Sequence, residues 1–339
     1  MTKIAQYAYR SSSPSKNKCA NLLENSRNFT TDELADILMQ RFGNGKRKYA
    51  DRYSLHNIIG IGAYGVVFEA TDTSLSKSVV LKISCEENIW HLEREAIQLG
   101  RLSSLPHQYF VRTYSNGYGD RIGKTTTFFI AMEPIDGYPL SDEILAGDIS
   151  FERTIDVALQ LCQGSWEANK LGFVNRDLKP NNILVRKIDG SVTIIDPASE
   201  IYTNRYATPQ WLRSQRDPHP EIYAIGAIMH EMLSGLSPFY NQSRHFYQLV
   251  HAKSTSLLPA LTFVPEFLQF IVDTATMPED GQRFKSLEDL FFTLESAQTY
   301  LAQFHNNPSA LADEIKRSNS AGDTEQRMLT SGHFLRRIK

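Results

Sequence analysis

The residues best equipped for chemistry stand close together in the chain, as Asn175-Arg176-Asp177-Leu178-Lys179-Pro180-Asn181-Asn182 followed by Asp196. They supply a carboxylate at Asp177, a cation at Lys179, an amide at Asn182 and a second carboxylate at Asp196. A loose transition state at phosphorus needs a group that accepts or orients the attacking hydroxyl, a cation for the equatorial oxygens, and hard oxygen ligands for Mg²⁺. Asp177, Lys179 and the pair Asn182 with Asp196 offer these in that order.

Two upstream features fit the same chemistry. Gly60-Ile61-Gly62-Ala63-Tyr64-Gly65 is a G-x-G-x-x-G, weak by itself. A dinucleotide-binding fold would open a helix there, but Val66-Val67-Phe68 continues as a β-branched and aromatic run, which points to a hairpin whose glycines let backbone amides approach phosphates. Lys82 lies inside the apolar strand pattern Val79-Val80-Leu81-Lys82-Ile83. A lysine on a strand's solvent face is common, so a special role requires a carboxylate partner. In the helical pattern 89–102, Leu92, Ala96 and Leu99 define the inward stripe; Glu95 falls at its edge, whereas Glu93 and Arg94 point away. Glu95 is the better partner.

The elements that must carry these groups are readable from periodicity. Strand patterns span 54–59, 66–71, 78–84, 111–114 and 126–132, which predicts a five-stranded antiparallel sheet with one helix. Pro134 and Gly137 break the pattern and lead into helices at 151–171, 221–234, 241–252, 264–277 and 286–305. The fold class is therefore α+β: a small antiparallel β-sheet lobe at 53–134 and a larger helical lobe at 135–305. Ahead of them, residues 1–52 form an extension. Within it Thr30-Thr31-Asp32-Glu33 reads as a capping box for an amphipathic helix through Leu34, Ile37, Leu38 and Phe42, closed by Gly43. The apolar face of that helix needs cover, most simply from the following domain. Ser11 to Lys18 and residues 306–339 are expected to be flexible, and the clusters Lys46-Arg47-Lys48 and Leu335-Arg336-Arg337-Ile338-Lys339 are expected to be solvated. Gly119 to Thr125 mimics a Walker loop with one residue too few, between two strands, and reads as a hairpin turn.

Composition sets outer limits. The chain has 339 residues and a formal charge of −2, which argues against a nucleic-acid or membrane-surface partner. Cys19, Cys85 and Cys162 are far apart, as expected for unpaired thiols in a reducing, cytoplasmic setting. No run of about 18 apolar residues is present.

With the glycine hairpin, strand lysine, helix glutamate, Asp177 loop and Asp196 in this order, residues 53–305 resemble a eukaryotic-type Ser/Thr protein kinase, as a divergent member. The resemblance implies ATP and Mg²⁺ as cofactors and Ser or Thr hydroxyls of proteins as acceptors. Gly60, Gly62 and Gly65 would cover the phosphates, and Lys82, held by Glu95, would grip the α and β phosphates. Val67 and Val80 would contact the nucleotide, Val80 narrowing the adenine site where a smaller alanine is usual, and Glu133 and Ile135 would offer backbone groups to adenine. Asp177 would be the catalytic base, Lys179 would neutralise the γ phosphate, and Asn182 and Asp196 would bind the metal. Lys179 and Thr208-Pro209 favour Ser/Thr over Tyr acceptors.

Departures from the pattern carry their own expectations. Asn175 stands where the family usually has His, and Pro197-Ala198 where it has Phe-Gly, which should restrict any flip of Asp196. Arg213-Ser214-Gln215 replaces Ala-Pro-Glu, so Arg283 would face neutral Gln215, and Glu221 replaces the usual Asp. A phosphate at Ser199 or Thr203 would pair with Arg176. The altered positions also fit a pseudokinase scaffold, and Asp177 with Asn182 fits a small-molecule phosphotransferase. Retention of Lys82, Glu95, Asp177, Asn182 and Asp196 together favours an active protein kinase, with autophosphorylation expected.

Overall fold

In this computed structural model the residues described are 30–43, 45, 47–85, 88–106, 108–197, 203–240, 246–304 and 308–320. Cys19, the 11–18 segment, Lys46, Ser199, Tyr202 and the basic terminus lie outside them. The chain forms two compact units, one running to Tyr138 and including Arg186–Ile188, the other containing Pro139–Val185 and the chain from Asp189.

The first unit begins with α1 (Thr31–Phe42), whose capping box forms: Glu33 N donates to Thr30 Oγ1 at 3.2 Å and Thr30 N to Glu33 Oε2 at 3.0 Å. Five strands follow, β1 (Tyr53–Gly62), β2 (Gly65–Asp72), β3 (Lys77–Cys85), β4 (Thr113–Tyr118) and β5 (Thr127–Met132), with α2 (Ile89–Leu102) between β3 and β4. All pairings are antiparallel, in the order β1-β2-β3-β5-β4. The expected fold class is therefore found, with β4 starting two residues later than expected and running on to Tyr118.

Strand alternation gives this sheet two different faces. Val66, Phe68, Ala70, Val79, Leu81 and Ile83 point to one, where they are buried with Leu34, Ile37, Leu38 and Phe42 of α1 in a single core. Lys82 and Val80 point to the other. The described residues between 30 and 52 are thus not an appendage to a domain that starts at residue 53, because their helix closes that domain's core. Tyr49 locks the arrangement. Its ring packs edge-on to Phe42 and Phe129, and its hydroxyl lies 2.7 Å from Thr127 Oγ1. Ala50 N donates to Asp120 Oδ2 at 2.6 Å, and Arg47 pairs with Asp120 at 3.5 Å rather than facing solvent alone.

The Walker-like stretch is a hairpin end, bridged at Ile122 and Thr125 with Gly123 at φ 62°. Its Gly119 answers to packing, not to phosphate: a Cβ there would come within 1.9 Å of the Tyr49 hydroxyl.

The second unit is mostly helical. After the short strand β6 (Gly137–Pro139) come α3 (Leu140–Ala146), α4 (Phe151–Lys170), a 3₁₀ turn (Pro180–Asn182), and the antiparallel pair β7 (Ile183–Arg186) and β8 (Val192–Ile194). Then follow α5 (Pro209–Leu212), α6 (Pro220–Ser234), α7 (Phe246–Thr255), α8 (Glu266–Ala275), α9 (Leu287–Ala302) and α10 (Pro308–Ser320). α6 is buried along nearly its whole length, from Pro220 to Met232, and packs on α4 and α8. At Gly226 a Cβ would lie 2.6 Å from that of Ala275, so the α6–α8 approach depends on a glycine.

α10 corrects the expectation of a flexible tail from residue 306. Half-buried Leu311 and Ile315, one helical turn apart, give residues 308–320 an apolar edge, and the helix packs on α8. Among the described residues no helix is long and apolar enough to cross a membrane.

Candidate active site

In the first unit the glycine turn joins β1 to β2, with Gly60 opposite Val67 and Gly62 opposite Gly65. The three glycines are not equivalent. A Cβ on Gly65 would approach Ile83 O to 2.6 Å, so its own sheet demands glycine. On Gly60 and Gly62 the nearest protein atoms would be 3.8 and 3.7 Å away, an ordinary contact. No packing among the described residues explains those two.

Lys82 sits in register between Val67 of β2 and Ile130 of β5. Its Nζ reaches Glu95 Oε2 at 2.7 Å, with the two side chains only 10% and 11% exposed. The helix period that put Glu95 beside the Leu92 and Leu99 stripe thus delivers it to the lysine. Glu133, just beyond β5, donates its N–H to Arg112 O at 2.9 Å and receives Arg112 N and Arg186 on its carboxylate. Any contact from Glu133 to an adenine edge therefore falls to its carbonyl. Ile135 follows Pro134, which has no N–H to offer.

The second unit brings Asp177, Lys179 and Asn182 together. Asp177 is 7% exposed, and each of its carboxylate oxygens is engaged. Oδ1 accepts from Thr203 Oγ1 at 2.7 Å; Oδ2 accepts from Lys179 Nζ at 2.6 Å and from Asn182 Nδ2 at 3.1 Å. Asn182 Nδ2 also donates to the Asp177 carbonyl at 3.0 Å. Because both partners are acceptors, the amide orientation is determined, and Oδ1 is the atom left to meet a cation. Ile195 N donates to Asn182 O at 2.9 Å, which ties Asn182 to the residue before Asp196. Asp196 is exposed with φ 54°, and Pro197 behind it is buried. Among the described residues no three His, Cys, Asp or Glu side chains form a metal cluster. Mg²⁺ needs none, since it commonly takes one or two protein oxygens with phosphate and water completing its shell.

Asn175 is an active substitution. Its Oδ1 accepts from Asp177 N at 3.1 Å, an Asx-turn that no His side chain would form in the same way. Its own N–H donates at 2.8 Å to Glu221 Oε1, which also accepts from Asn169 Nδ2 at 3.1 Å. Glu221 is wholly buried, and desolvation pushes its pKa up to about 7 against the opposing hydrogen bonds and the nearby Arg176 charge.

Two expectations fail here. Arg283 does not face Gln215; it pairs with Asp217 at 2.8 Å, both side chains at most 2% exposed, and donates to Gln210 Oε1 at 2.6 Å. Ser214, at φ 57°, bends the segment so that the carboxylate two residues past Gln215 takes the role. Thr203 is not a spare acceptor for an activating phosphate. Its hydroxyl donates to Asp177 and accepts from Lys179 at 2.8 Å, while Arg176 stacks over the Trp211 ring at 4.7 Å.

Comparison with known proteins decides the family. The protein kinase domain model matches residues 53–280. The chain belongs to the protein kinase family. It is 28% identical over 256 residues to the probable serine/threonine-protein kinase PknB of Corynebacterium glutamicum, covering 68% of this chain and 38% of that protein. Against the serine/threonine-protein kinase PrkC of Bacillus subtilis it is 28% identical over 276 residues, 75% of this chain and 41% of the relative. With PknA of Mycobacterium tuberculosis the figures are 25% over 254 residues, 69% and 58%. The chain thus spans about two-fifths to three-fifths of these relatives' lengths. The matched kinase domain starts at Tyr53, after α1 and Tyr49, although both lie in its core.

Proposed function

We propose that this kinase domain is an active, ATP- and Mg²⁺-dependent protein kinase that phosphorylates Ser and Thr hydroxyls. The observation that carries this reading is the Asp177 carboxylate, buried and held at both oxygens by Thr203, Lys179 and Asn182. A carboxylate fixed in that way is prepared to orient an incoming hydroxyl and take its proton, with Lys179 beside it to offset charge that develops on transfer. The similarity to serine/threonine kinases supports the choice of acceptor.

The residues also fit the cofactors. Gly60 and Gly62 leave room along the β1–β2 turn that the described residues do not use, as close approach of backbone amides to phosphates requires. Lys82, oriented by Glu95, would hold phosphate oxygens; Val67, Val80, the Glu133 carbonyl and Ile135 would contact the base; Asn182 Oδ1 and Asp196 would ligate Mg²⁺. Bound there, Mg·ATP would supply the transferable phosphoryl group.

The test is incubation of the purified full chain with ATP and Mg²⁺ beside Asp177→Ala, read by intact mass and site mapping. Phosphate should accumulate on Ser or Thr of the wild type or an added protein, about 10² to 10⁴ times faster than in the variant. Chelating the metal should stop it. Nucleotide binding without transfer in either sample would overturn the reading in favour of a scaffold.

A further inference from the structure

The second unit buries a lysine that the chemistry above does not use. Lys253, on α7, is 1% exposed. Its Nζ donates to the carbonyl of Ala207 and lies over the rings of Tyr223 at 4.6 Å and Phe239 at 5.7 Å. Desolvation holds its pKa well below the ordinary lysine range, and the Arg283 charge pushes the same way. Packing alone does not call for a cation between two aromatic rings, where a methionine would fill the same space. What the lysine adds is a donor for one backbone carbonyl.

That carbonyl belongs to a closed turn. Ala207 N and Tyr206 N both donate to Thr203 O, at 3.0 and 2.9 Å. Thr203 is the residue whose hydroxyl bridges Asp177 Oδ1 and Lys179 Nζ. A continuous path of hydrogen bonds therefore runs from Lys253 through the Thr203–Ala207 turn to the Asp177 carboxylate.

We propose that Lys253 is a positioning residue for phosphoryl transfer, pinning the Thr203–Ala207 turn and, through the Thr203 hydroxyl, the orientation of Asp177. The proposal rests on the kinase reading above, and two independent measurements separate them. In the full chain, Lys253→Met should keep the packing between Tyr223 and Phe239 while leaving the Ala207 carbonyl without its donor, so the unfolding temperature should fall only slightly. The amides of Tyr206 and Ala207 should nonetheless exchange about tenfold faster or more. The kcat for a protein acceptor should drop about tenfold or more, with KM for Mg·ATP changed less than about twofold. Thr203→Val should cause a similar loss, and the double variant should lose no more than either single one.

Unchanged exchange at Tyr206 and Ala207, or losses that multiply in the double variant, would overturn the proposal. If the wild type transfers no phosphate, the kinase reading fails by itself, and the exchange measurement still upholds or overturns the pinning by Lys253.

Discussion

Replacing Glu221 with Gln should make the protein more stable, and only above a defined pH. Glu221 ionises near pH 7 in the folded chain and near 4.5 when exposed, because burial disfavours its charge. A carboxyl with a raised folded pKa favours the folded state fully below the unfolded value; that contribution is lost as pH climbs to the folded value and stays lost above it. At about 1.4 kcal/mol per unit, the full swing is on the order of 3 kcal/mol. Gln keeps an acceptor for Asn175 N and Asn169 Nδ2 but never ionises. The groups facing the carboxyl are Asn169 and Cys162 of α4 and Asn175 and Arg176 of the following loop, and all remain in the variant. Urea denaturation of both proteins should give nearly equal stabilities at about pH 4, with Glu221→Gln ahead by about 3 kcal/mol at about pH 8. Subtracting the two curves removes the other titrating groups, including Glu231 and His230. A difference independent of pH, or largest at low pH, would refute the argument from desolvation.

Other expectations concern single contacts. Asp217→Ala should destabilise by about 3 to 5 kcal/mol because it strands the buried Arg283, whereas Gln215→Glu should leave the unfolding midpoint unchanged, since Arg283 does not face it. Leu38→Ala, in the α1 seam, should cost about 2 to 5 kcal/mol by thermal or urea denaturation, and deletion of residues 1–52 should yield insoluble protein. Thr203→Glu should not activate the enzyme in a peptide phosphorylation assay; placed against Asp177 it should lower kcat by about 10²-fold or more.

Much of this was legible from residue pattern. Glycine and β-branched alternation gave the hairpin, the 3.6-residue period gave Glu95, and the Thr30–Glu33 spacing gave α1, because each is a local rule. What escaped depended on long-range direction. The amphipathic face of α1 was visible, but that it covers the sheet face opposite Lys82 is decided by Tyr49 meeting Thr127, and sequence does not reveal such partners. α3 and α5, of seven and four residues, are too short for a period to register. The Arg283 partner was misplaced because it depends on a left-handed bend at Ser214. The residue type of Thr203 shows a hydroxyl but not which way it points. Lys253, an ordinary lysine in a helix pattern, carried no signal at all.

The seam between α1 and the first sheet also has a consequence for biosynthesis. Tyr49 leaves the ribosome 78 residues before Thr127, its hydroxyl partner on β5. At roughly 5 to 20 residues per second that is a wait of about 4 to 16 s, during which the Tyr49 hydroxyl has no partner and the sheet that Leu34, Leu38 and Phe42 cover lacks β5. Contacts of such sequence separation form late and slowly. The seam between α1 and the sheet is thus completed only when β5 arrives, so the apolar stripe of α1 is a surface a chaperone would meet on the nascent chain.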